Sequence, residues 1–162
     1  MDADTHDGLD LVLGWNAVKV GRIIGARITA GLADHDIGLV QFGVLSCLAH
    51  GSALTSAEIA RAVFVRPQSM AQVLDGMEEQ GLIHRASVRA KGRRNPVQLT
   101  VEGEHALETA LAIALASNDL TTLGLDRAES GRLNDLLLAV IRAAEHAPEQ
   151  HADRAAPEQH TH

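Results

Sequence analysis

The sequence predicts a mainly α-helical protein with a small β-hairpin, and three observations support this fold class. Its 162 residues are rich in Ala and Leu but include only two Phe, one Trp and no Tyr, a composition typical of helices around an aliphatic core. Apolar residues recur at helical spacing through most of the chain. Between residues 54 and 100, two short helical segments are followed by two strand-like segments. This order predicts a winged helix-turn-helix with flanking helices.

The first predicted helix runs from Leu9 to about Ala30, where apolar residues recur at helical spacing and Trp15 is expected in the core. Ala17, Gly21 and Gly25 follow one another at four-residue steps on one face of it. Such a stripe of small residues indicates close approach by another helix, from this chain or from a second subunit. The alternative is that these glycines are tolerated in a helix stabilised by its apolar face.

A second helix is expected through Ile37 and Leu48, capped by Asp34 or Asp36 and ended by the glycine signal at 50–51. Cys47 falls on this helix beside its apolar row. Because free cysteine is among the most buried residue types, packing is the expected role of this thiol, with redox sensing as the alternative.

Two short helices follow, joined by a tight turn. Residues 55–58, Thr-Ser-Ala-Glu, form a capping box that predicts a third helix from Ser56 to about Val63. Pro67 suits the first turn of a fourth helix, which is expected to end at Gln80 before Gly81. This arrangement is typical of a helix-turn-helix, although a plain αα-hairpin within a bundle would have the same pattern.

The fourth helix carries polar side chains where a DNA-reading helix needs them. Gln68, Ser69 and Gln72 occupy its exposed side in the opening turns, and amide and hydroxyl groups can hydrogen-bond base edges in the major groove. Arg66, just before the helix, can reach a phosphate or a guanine.

A cationic hairpin is predicted next, with one strand from Leu82 to Arg89, a turn, and a returning strand from Pro96 to Thr100. Lys91, Arg93 and Arg94 form its tip, where they can reach phosphates or a narrow minor groove. Between residues 52 and 100, seven Lys/Arg stand against four Asp/Glu, although the whole chain has a net charge of −7. Local rather than global charge governs phosphate binding, so the acidic total does not exclude nucleic acid.

Two more helices are predicted after Thr100. One extends to about Leu120, with an apolar row described by Leu107, Leu111 and Leu115, and a break follows at Gly124. Asp126 and Glu129 resemble another capping box, which opens a last helix to about Glu145. From residue 147 the chain is a low-complexity tail with a repeated Ala-Pro-Glu-Gln-His segment, expected to be solvated and disordered. Its histidines lack the spacing of a recognised zinc site, so no metal is expected.

Five segments of the central region resemble the MarR family of bacterial transcriptional regulators. They are Leu54-Thr55 with Glu58-Ile59-Ala60, Arg66-Pro67-Gln68-Ser69-Met70, Leu74 with Met77-Glu78, Gly81-Leu82-Ile83 with Arg85, and Leu99-Thr100 with Gly103. With the flanking helices, the resemblance covers nearly the whole chain.

The resemblance implies a homodimer that places two recognition helices, beginning at residues 67–72, in successive major grooves of a pseudo-palindrome. It also implies that Arg93 is the wing-tip arginine. The family wing commonly has an acidic residue two places earlier that braces the tip, whereas Lys91 stands there in this chain. Members often bind small phenolic or other aromatic ligands, which Trp15, Arg22 and His35 could approach. The reactive cysteine of peroxide-sensing members lies on the first helix, so that activity is not transferred to Cys47.

The resulting prediction is a sequence-specific regulator of transcription that binds double-stranded DNA, acts as a ligand-responsive repressor and has no enzymatic activity or cofactor. The residues expected to bind DNA are Thr55, Arg66, Pro67, Gln68, Ser69, Gln72, Lys91, Arg93 and Arg94. The expected organisation is a flexible N-terminus over 1–8, one MarR-like unit over 9–146 and the tail over 147–162. Within that unit the winged helix-turn-helix covers about 37–100, and dimerisation helices cover about 9–30 and 101–146.

Neither a secretory signal nor a membrane span is recognisable in the sequence, so a cytoplasmic protein is expected. No phosphate loop, nucleophile elbow or HExxH motif indicates catalysis. The alternative function is a winged-helix module that binds another protein and has no specific affinity for DNA.

Overall fold

The structure, a computed structural model, describes residues 8–49, 54–85 and 96–146. The chain divides into two compact units, Met1–Ser117 and Asn118–His162. The described elements of the first unit are α1 Leu13–Leu32, a 3-10 turn Ala33–His35, α2 Leu39–Leu48, α3 Ser56–Ala62, α4 Pro67–Glu79, β1 Ile83–Arg85, β2 Val97–Leu99 and α5 Val101–Ala116. Those of the second unit are a 3-10 turn Thr121–Leu123 and α6 Arg127–His146.

One apolar core joins the helix-turn-helix to the hairpin. Its buried members come from α2, α3, α4 and both strands: Val44, Leu45, Leu48, Ile59, Ala60, Met70, Leu74, Met77, Ile83 and Val97. Each large aliphatic side chain buried in this way contributes about 1.5–3 kcal/mol to folding. The four-residue and three-residue steps along α4 put Met70, Leu74 and Met77 on one face, so the opposite face of α4 is left exposed.

A smaller apolar cluster joins α1, α2 and α5. Leu32, Ile37 and Ala110 are buried there, and Ile28, Phe42 and Ile113 pack against them. The predicted apolar row of α5 was correct only at Leu107, which packs against the larger core. Leu111 and Leu115 are exposed, and the helix buries Ala110 instead. A small side chain allows close helix approach, and a Cβ added at Gly31 of α1 would lie 2.7 Å from Ile113 Cγ2.

One further expectation for α1, that Trp15 lies in the core, differs from the structure, while the alternatives for its stripe of small residues stay open. Trp15 is 48% exposed rather than part of the core. The stripe of small residues meets no closely packed helix among the described residues: a Cβ at Gly21 would have nothing within 4 Å, and one at Gly25 would lie 3.7 Å from Leu39 Cδ2.

Local signals set several helix ends as predicted, but the start of α2 is a correction. Its N-cap is Gly38, whose N–H donates to Gln41 Oε1 at 2.7 Å, rather than Asp34 or Asp36. Asp36 adopts a left-handed conformation with φ of 54° and closes the preceding 3-10 turn by donating its N–H to Ala33 O. The aspartate thus ends one element because its short side chain tolerates positive φ.

The hairpin is short and antiparallel, with Ile83 opposite Leu99, His84 opposite Gln98 and Arg85 opposite Val97. Val97 also donates its N–H to Leu54 O at 2.9 Å, so the segment entering α3 pairs with β2. The predicted turn at Lys91, Arg93 and Arg94 lies outside the described residues, as do the helix-stop signal at 50–51 and the tail.

The second unit contains the predicted break and the second capping box. Gly124 has φ of 89°. Asp126 N–H donates to Glu129 Oε2 at 2.8 Å, and Glu129 N–H donates to Asp126 Oδ1 at 2.8 Å. The following helix, α6, exposes an apolar row at its C-terminal half: Leu136, Leu137, Val140 and Ile141.

Candidate nucleic-acid interface

The turn between α3 and α4 has a defined geometry that fixes how α4 begins. Phe64 adopts φ of 56°, its N–H donates to Arg61 O at 3.3 Å, and Val65 N–H donates to Ala60 O at 2.9 Å. This pair of bonds is a Schellman motif, which satisfies carbonyl groups at the end of a helix. Val65 then packs against the apolar core. The hydrogen bonds of the turn and the packing of Val65 together fix the direction in which the chain enters α4.

The exposed face of α4 brings together the polar side chains predicted to read bases. Pro67 is the first helical residue and Arg66 is the N-cap with extended backbone. Gln68, Ser69 and Gln72 are exposed, and their spacing places them on one side of the helix, opposite its buried methionines. A rigid helix therefore presents two amides and a hydroxyl beside one guanidinium.

Thr55, which was expected to contact DNA, is the N-cap residue of α3. Its hydroxyl donates to Glu58 Oε2 at 2.6 Å and accepts from Glu58 N–H at 3.3 Å, while Thr55 N–H donates to the same carboxylate at 2.8 Å. A phosphate oxygen needs a donor, and the one hydroxyl proton of this side chain is already used. Its observed role is that of a capping residue.

An ion-pair network at the base of the hairpin, which sequence reasoning missed, ties β1 to α4. Arg85 Nη2 lies 2.7 Å from Asp75 Oδ1, and Arg85 Nε lies 3.5 Å from Glu78 Oε2. The backbone N–H of Arg85 also donates to Glu78 Oε1 at 3.2 Å. These contacts orient the hairpin relative to α4. They also neutralise one of the cations counted toward the positive field.

The remaining predicted DNA contacts, Lys91, Arg93 and Arg94, lie outside the described residues. Beyond the arginine at the start of α4, Arg61 is a further exposed cation on the helix-turn-helix, in the last turn of α3. Asp75, Glu78 and Glu79 all fall in the second half of α4. The described charges therefore place cations at the turn and acids at the other end of α4.

The three residues suggested for a small-molecule site are spread along α1 and the following turn. Trp15 and Arg22 are exposed on α1, and His35 is exposed in the 3-10 turn beyond Leu32. At 1.5 Å per residue, the helix separates Trp15 from Leu32 by roughly 25 Å. Trp15 and His35 therefore do not line a common cleft of small-molecule size within one chain.

Neither metal chemistry nor a reactive thiol is indicated in the described part of the chain. Among residues 8–49, 54–85 and 96–146, no group of three His, Cys, Asp or Glu side chains is arranged to hold a metal ion. Cys47 is half-buried on α2, and burial raises the pKa of its thiol. A protonated thiol is a poor nucleophile, which fits the packing role expected for it. Every helix within the same ranges is too short or too polar to cross a membrane.

Known proteins are similar to this chain in sequence and in the arrangement of their helices. Residues 35–94 match the profile of the MarR family. The chain is 32% identical over 109 residues to the HTH-type transcriptional repressor Rv2887 of Mycobacterium tuberculosis, a match that covers 67% of this chain and 78% of that protein.

Two crystal structures of the Mycobacterium tuberculosis MarR family protein Rv2887 are also similar to this chain. The complex with salicylic acid matches with a TM-score of 0.68 and 28% identity, covering 79% of this chain and 95% of that chain. The complex with DNA matches with a TM-score of 0.65 and 26% identity, covering 79% and 96%. The mainly helical, winged helix-turn-helix fold predicted from the sequence is confirmed, and the chain belongs to the MarR family of transcriptional regulators.

Proposed function

We propose that the protein is a sequence-specific DNA-binding repressor that acts as a homodimer and responds to a small aromatic effector. The observation that carries this proposal is the exposed polar face of α4, which follows the turn of a helix-turn-helix and offers Gln68, Ser69 and Gln72. The complex of the similar protein Rv2887 with DNA supports the same use of the fold in this chain.

Each of these side chains has a matching group in the major groove. Gln68 and Gln72 can form bidentate hydrogen bonds with adenine, and the hydroxyl of Ser69 can donate or accept. Arg66 stands at the N-terminus of α4, where it can bind a phosphate or the N7 and O6 atoms of guanine. The acids of α4 occupy its other end, so they are kept away from the bases that its first turns would read.

The wing would supply affinity rather than base reading. Lys91, Arg93 and Arg94 form a cationic segment between the two described strands. Phosphate binding by such side chains releases counterions, which makes the affinity depend steeply on salt. Arg85 would act differently from these cations, because its guanidinium already pairs with Asp75 and Glu78 and holds the base of the hairpin against α4.

Exposed apolar side chains on two helices support the homodimer. On α6, Leu136 is 60% exposed and Val140 is 70% exposed, with Leu137 and Ile141 on the same side of the helix. On α1, Leu13, Trp15, Val18 and Ile23 are exposed as well. A helix whose large apolar side chains face water gains stability when another surface covers them, and a second copy of the chain would do this for both helices.

The dimer is tested by the mass of the protein in solution. Val140→Asp should shift it from dimer to monomer in size-exclusion chromatography with light scattering, because the buried interface would then contain an unpaired carboxylate. Ala128→Asp is the matched control, since it places the same charge at an exposed position on the side of α6 away from the apolar row. A wild-type protein that is monomeric at micromolar concentration would contradict the proposal.

Response to an aromatic carboxylate is suggested by the salicylic acid complex of Rv2887. Trp15 and Arg22, seven residues apart on α1, share one side of that helix and could stack on a ring and pair with a carboxylate. Salicylate should release the protein from its operator, while benzyl alcohol, which lacks the carboxylate, should not. If binding to the operator were unchanged by millimolar salicylate, the proposal of an aromatic carboxylate effector would be wrong.

The central experiment is selection of binding sites from a random duplex library, followed by titration of the selected site at several salt concentrations. An inverted repeat with half-sites about one helical turn apart is expected for a dimer. Replacing Arg93 and Arg94 with Ala removes four cations from the dimer. The slope of log affinity against log salt, which is negative, should therefore become shallower by about 4.

The control for that variant replaces two exposed arginines of α6, Arg127 and Arg132, with Ala. This change removes the same charge and should leave the slope unaltered. A library from which no sequence is enriched, with no duplex binding even at low salt, would instead favour the alternative function as a module that binds protein.

A further inference from the structure

Phe64, in the turn between α3 and α4, combines two unusual properties. Its side chain is 97% exposed, more than any other large apolar side chain among the described residues. Its backbone is in the left-handed region, with φ of 56°. The only other described non-glycine residue with positive φ is Asp36, which has a short polar side chain suited to that conformation.

The fold needs the left-handed conformation at this position but does not need phenylalanine. Phe64 occupies the position after the C-cap of α3, where its N–H and that of Val65 close the Schellman motif. Glycine is the usual residue there because a side chain raises the energy of positive φ. The aromatic ring recovers none of this energy within the chain, because it is almost entirely exposed to solvent. A strained residue without a compensating contact in its own chain suggests a contact with something else.

The place of Phe64 in the turn indicates what that contact is. It precedes Pro67 by three residues, so its Cα lies within about 11 Å of the first residue of α4. In helix-turn-helix proteins, the N-terminal residues of the second helix contact base edges. Phe64 therefore belongs to the same end of the helix-turn-helix as Arg66 and Gln68, the end that would enter the major groove.

A phenyl ring has no hydrogen-bond donor for a phosphate and no polar group for the edges of guanine, cytosine or adenine. The one apolar group that a base presents in the major groove is the 5-methyl group of thymine, and phenylalanine is among the residues that contact it. We propose that Phe64 is a specificity-determining residue, which selects thymine through its 5-methyl group at the base pair next to those read by the first turn of α4. This inference rests on the proposed function, namely that α4 reads DNA.

The test uses the full chain and its selected operator, in which each thymine is replaced in turn by uracil. Uracil pairs as thymine does but lacks the methyl group, so it isolates the proposed contact. For the wild type, one symmetry-related pair of thymines should be sensitive, and affinity should fall about fourfold for each half-site, the factor for burial of one methyl-sized group. With both half-sites substituted, the loss should be about 15-fold.

Two variants assign this effect to the ring. Phe64→Gly and Phe64→Asn both tolerate positive φ, so they keep the turn while removing the aromatic group. Both should bind the thymine and uracil operators with equal affinity, close to that of the wild type for uracil. Gln68→Ala is the matched control, because it should weaken binding through another base and keep the full difference between thymine and uracil.

The outcomes separate this inference from the proposed function. Wild-type protein that binds its operator but tolerates uracil at every position would overturn the role of Phe64 and leave the regulator intact. Glycine and asparagine variants that retain the uracil effect would do the same. If the Phe64 variants lost the same factor of affinity for the thymine operator and for the uracil operator, the ring would lie against the sugar-phosphate backbone. That result would also overturn the proposed role of Phe64. Absence of any duplex binding by the wild type would remove the proposed function, and this inference with it.

Discussion

Gly103 is the position where a single methyl group should do the most damage to the fold. It is buried in the first turn of α5, and a Cβ added there would overlap the carbonyl oxygen of Leu82 and lie 3.0 Å from its carbonyl carbon. The same carbonyl oxygen accepts from Thr100 N–H at 3.1 Å, and Thr100 Oγ1 both donates to Gly81 O at 2.6 Å and accepts from Gly103 N–H at 3.0 Å. The backbone segment before β1, residues 81–82, thus lies directly against the segment after β2, residues 100–103, at this glycine.

The expected cost of Gly103→Ala follows from what has to move. The atoms in the way belong to the backbone, which cannot rotate aside as a flexible side chain would, and shifting them disturbs the bonds that join the end of α4 to the start of α5. Overpacking of this kind costs about 3 kcal/mol or more. For a unit of this size, that loss lowers Tm by roughly 10–20 °C.

Circular dichroism during thermal and urea unfolding measures the effect, at one fixed protein concentration because association shifts apparent stability. Gly76→Ala is the matched control: Gly76 lies inside α4, and a Cβ there would meet nothing within 4 Å. That variant should be more stable by about 1 kcal/mol, the helix preference of Ala over Gly. A Gly103→Ala protein with less than about 1 kcal/mol of lost stability would refute the close backbone contact.

Four further outcomes are expected from the same structure. Thr55→Ala should lose about 1 kcal/mol of unfolding free energy in urea while Thr55→Ser loses little, and equal losses would contradict the capping bond. Phe64→Gly should gain about 1 kcal/mol by relieving positive φ, so a destabilised variant would contradict the strain. A double-mutant cycle of Arg85→Ala and Asp75→Ala should give a coupling of about 0.5–1 kcal/mol because the pair is partly exposed, and zero coupling would show that it does not hold the hairpin. Since burial raises the pKa of Cys47, its alkylation should be slower than in urea-unfolded protein at neutral pH, and its contribution to stability should be lost as pH rises through the alkaline range.

Sequence motifs predicted the structure correctly where the interacting residues are close neighbours in the chain. The capping pairs of Thr55 with Glu58 and of Asp126 with Glu129, and the left-handed Gly124, lie where the sequence predicted them. Each of these features depends on residues only a few positions apart, so the sequence motif is sufficient to predict the contact. The exposed face of α4 was also predictable, because its apolar residues recur with helical period.

Features that depend on distant parts of the chain were not predicted correctly. The buried side of α5 is set by close approach to α1 at Gly31, which favours Ala110 over the larger Leu111 and Leu115. The ion pairs of Arg85 join residues of two elements, and from the sequence this arginine was counted only as one of the seven cations of residues 52–100. The left-handed backbone of Phe64 was unforeseen, since a bulky residue rarely adopts it.

The most direct test of the central claim, that α4 reads base sequence, compares the sites selected by the wild type and by the double variant Gln68→Ala/Gln72→Ala. The variant keeps every cation of the chain and the buried face of α4, so it should fold and retain salt-dependent binding to any duplex. We expect the wild type to enrich an inverted repeat and the variant to lose preference at one or more base pairs of each half-site. Enrichment of the same sequence, with the same preference at every position, would contradict the account.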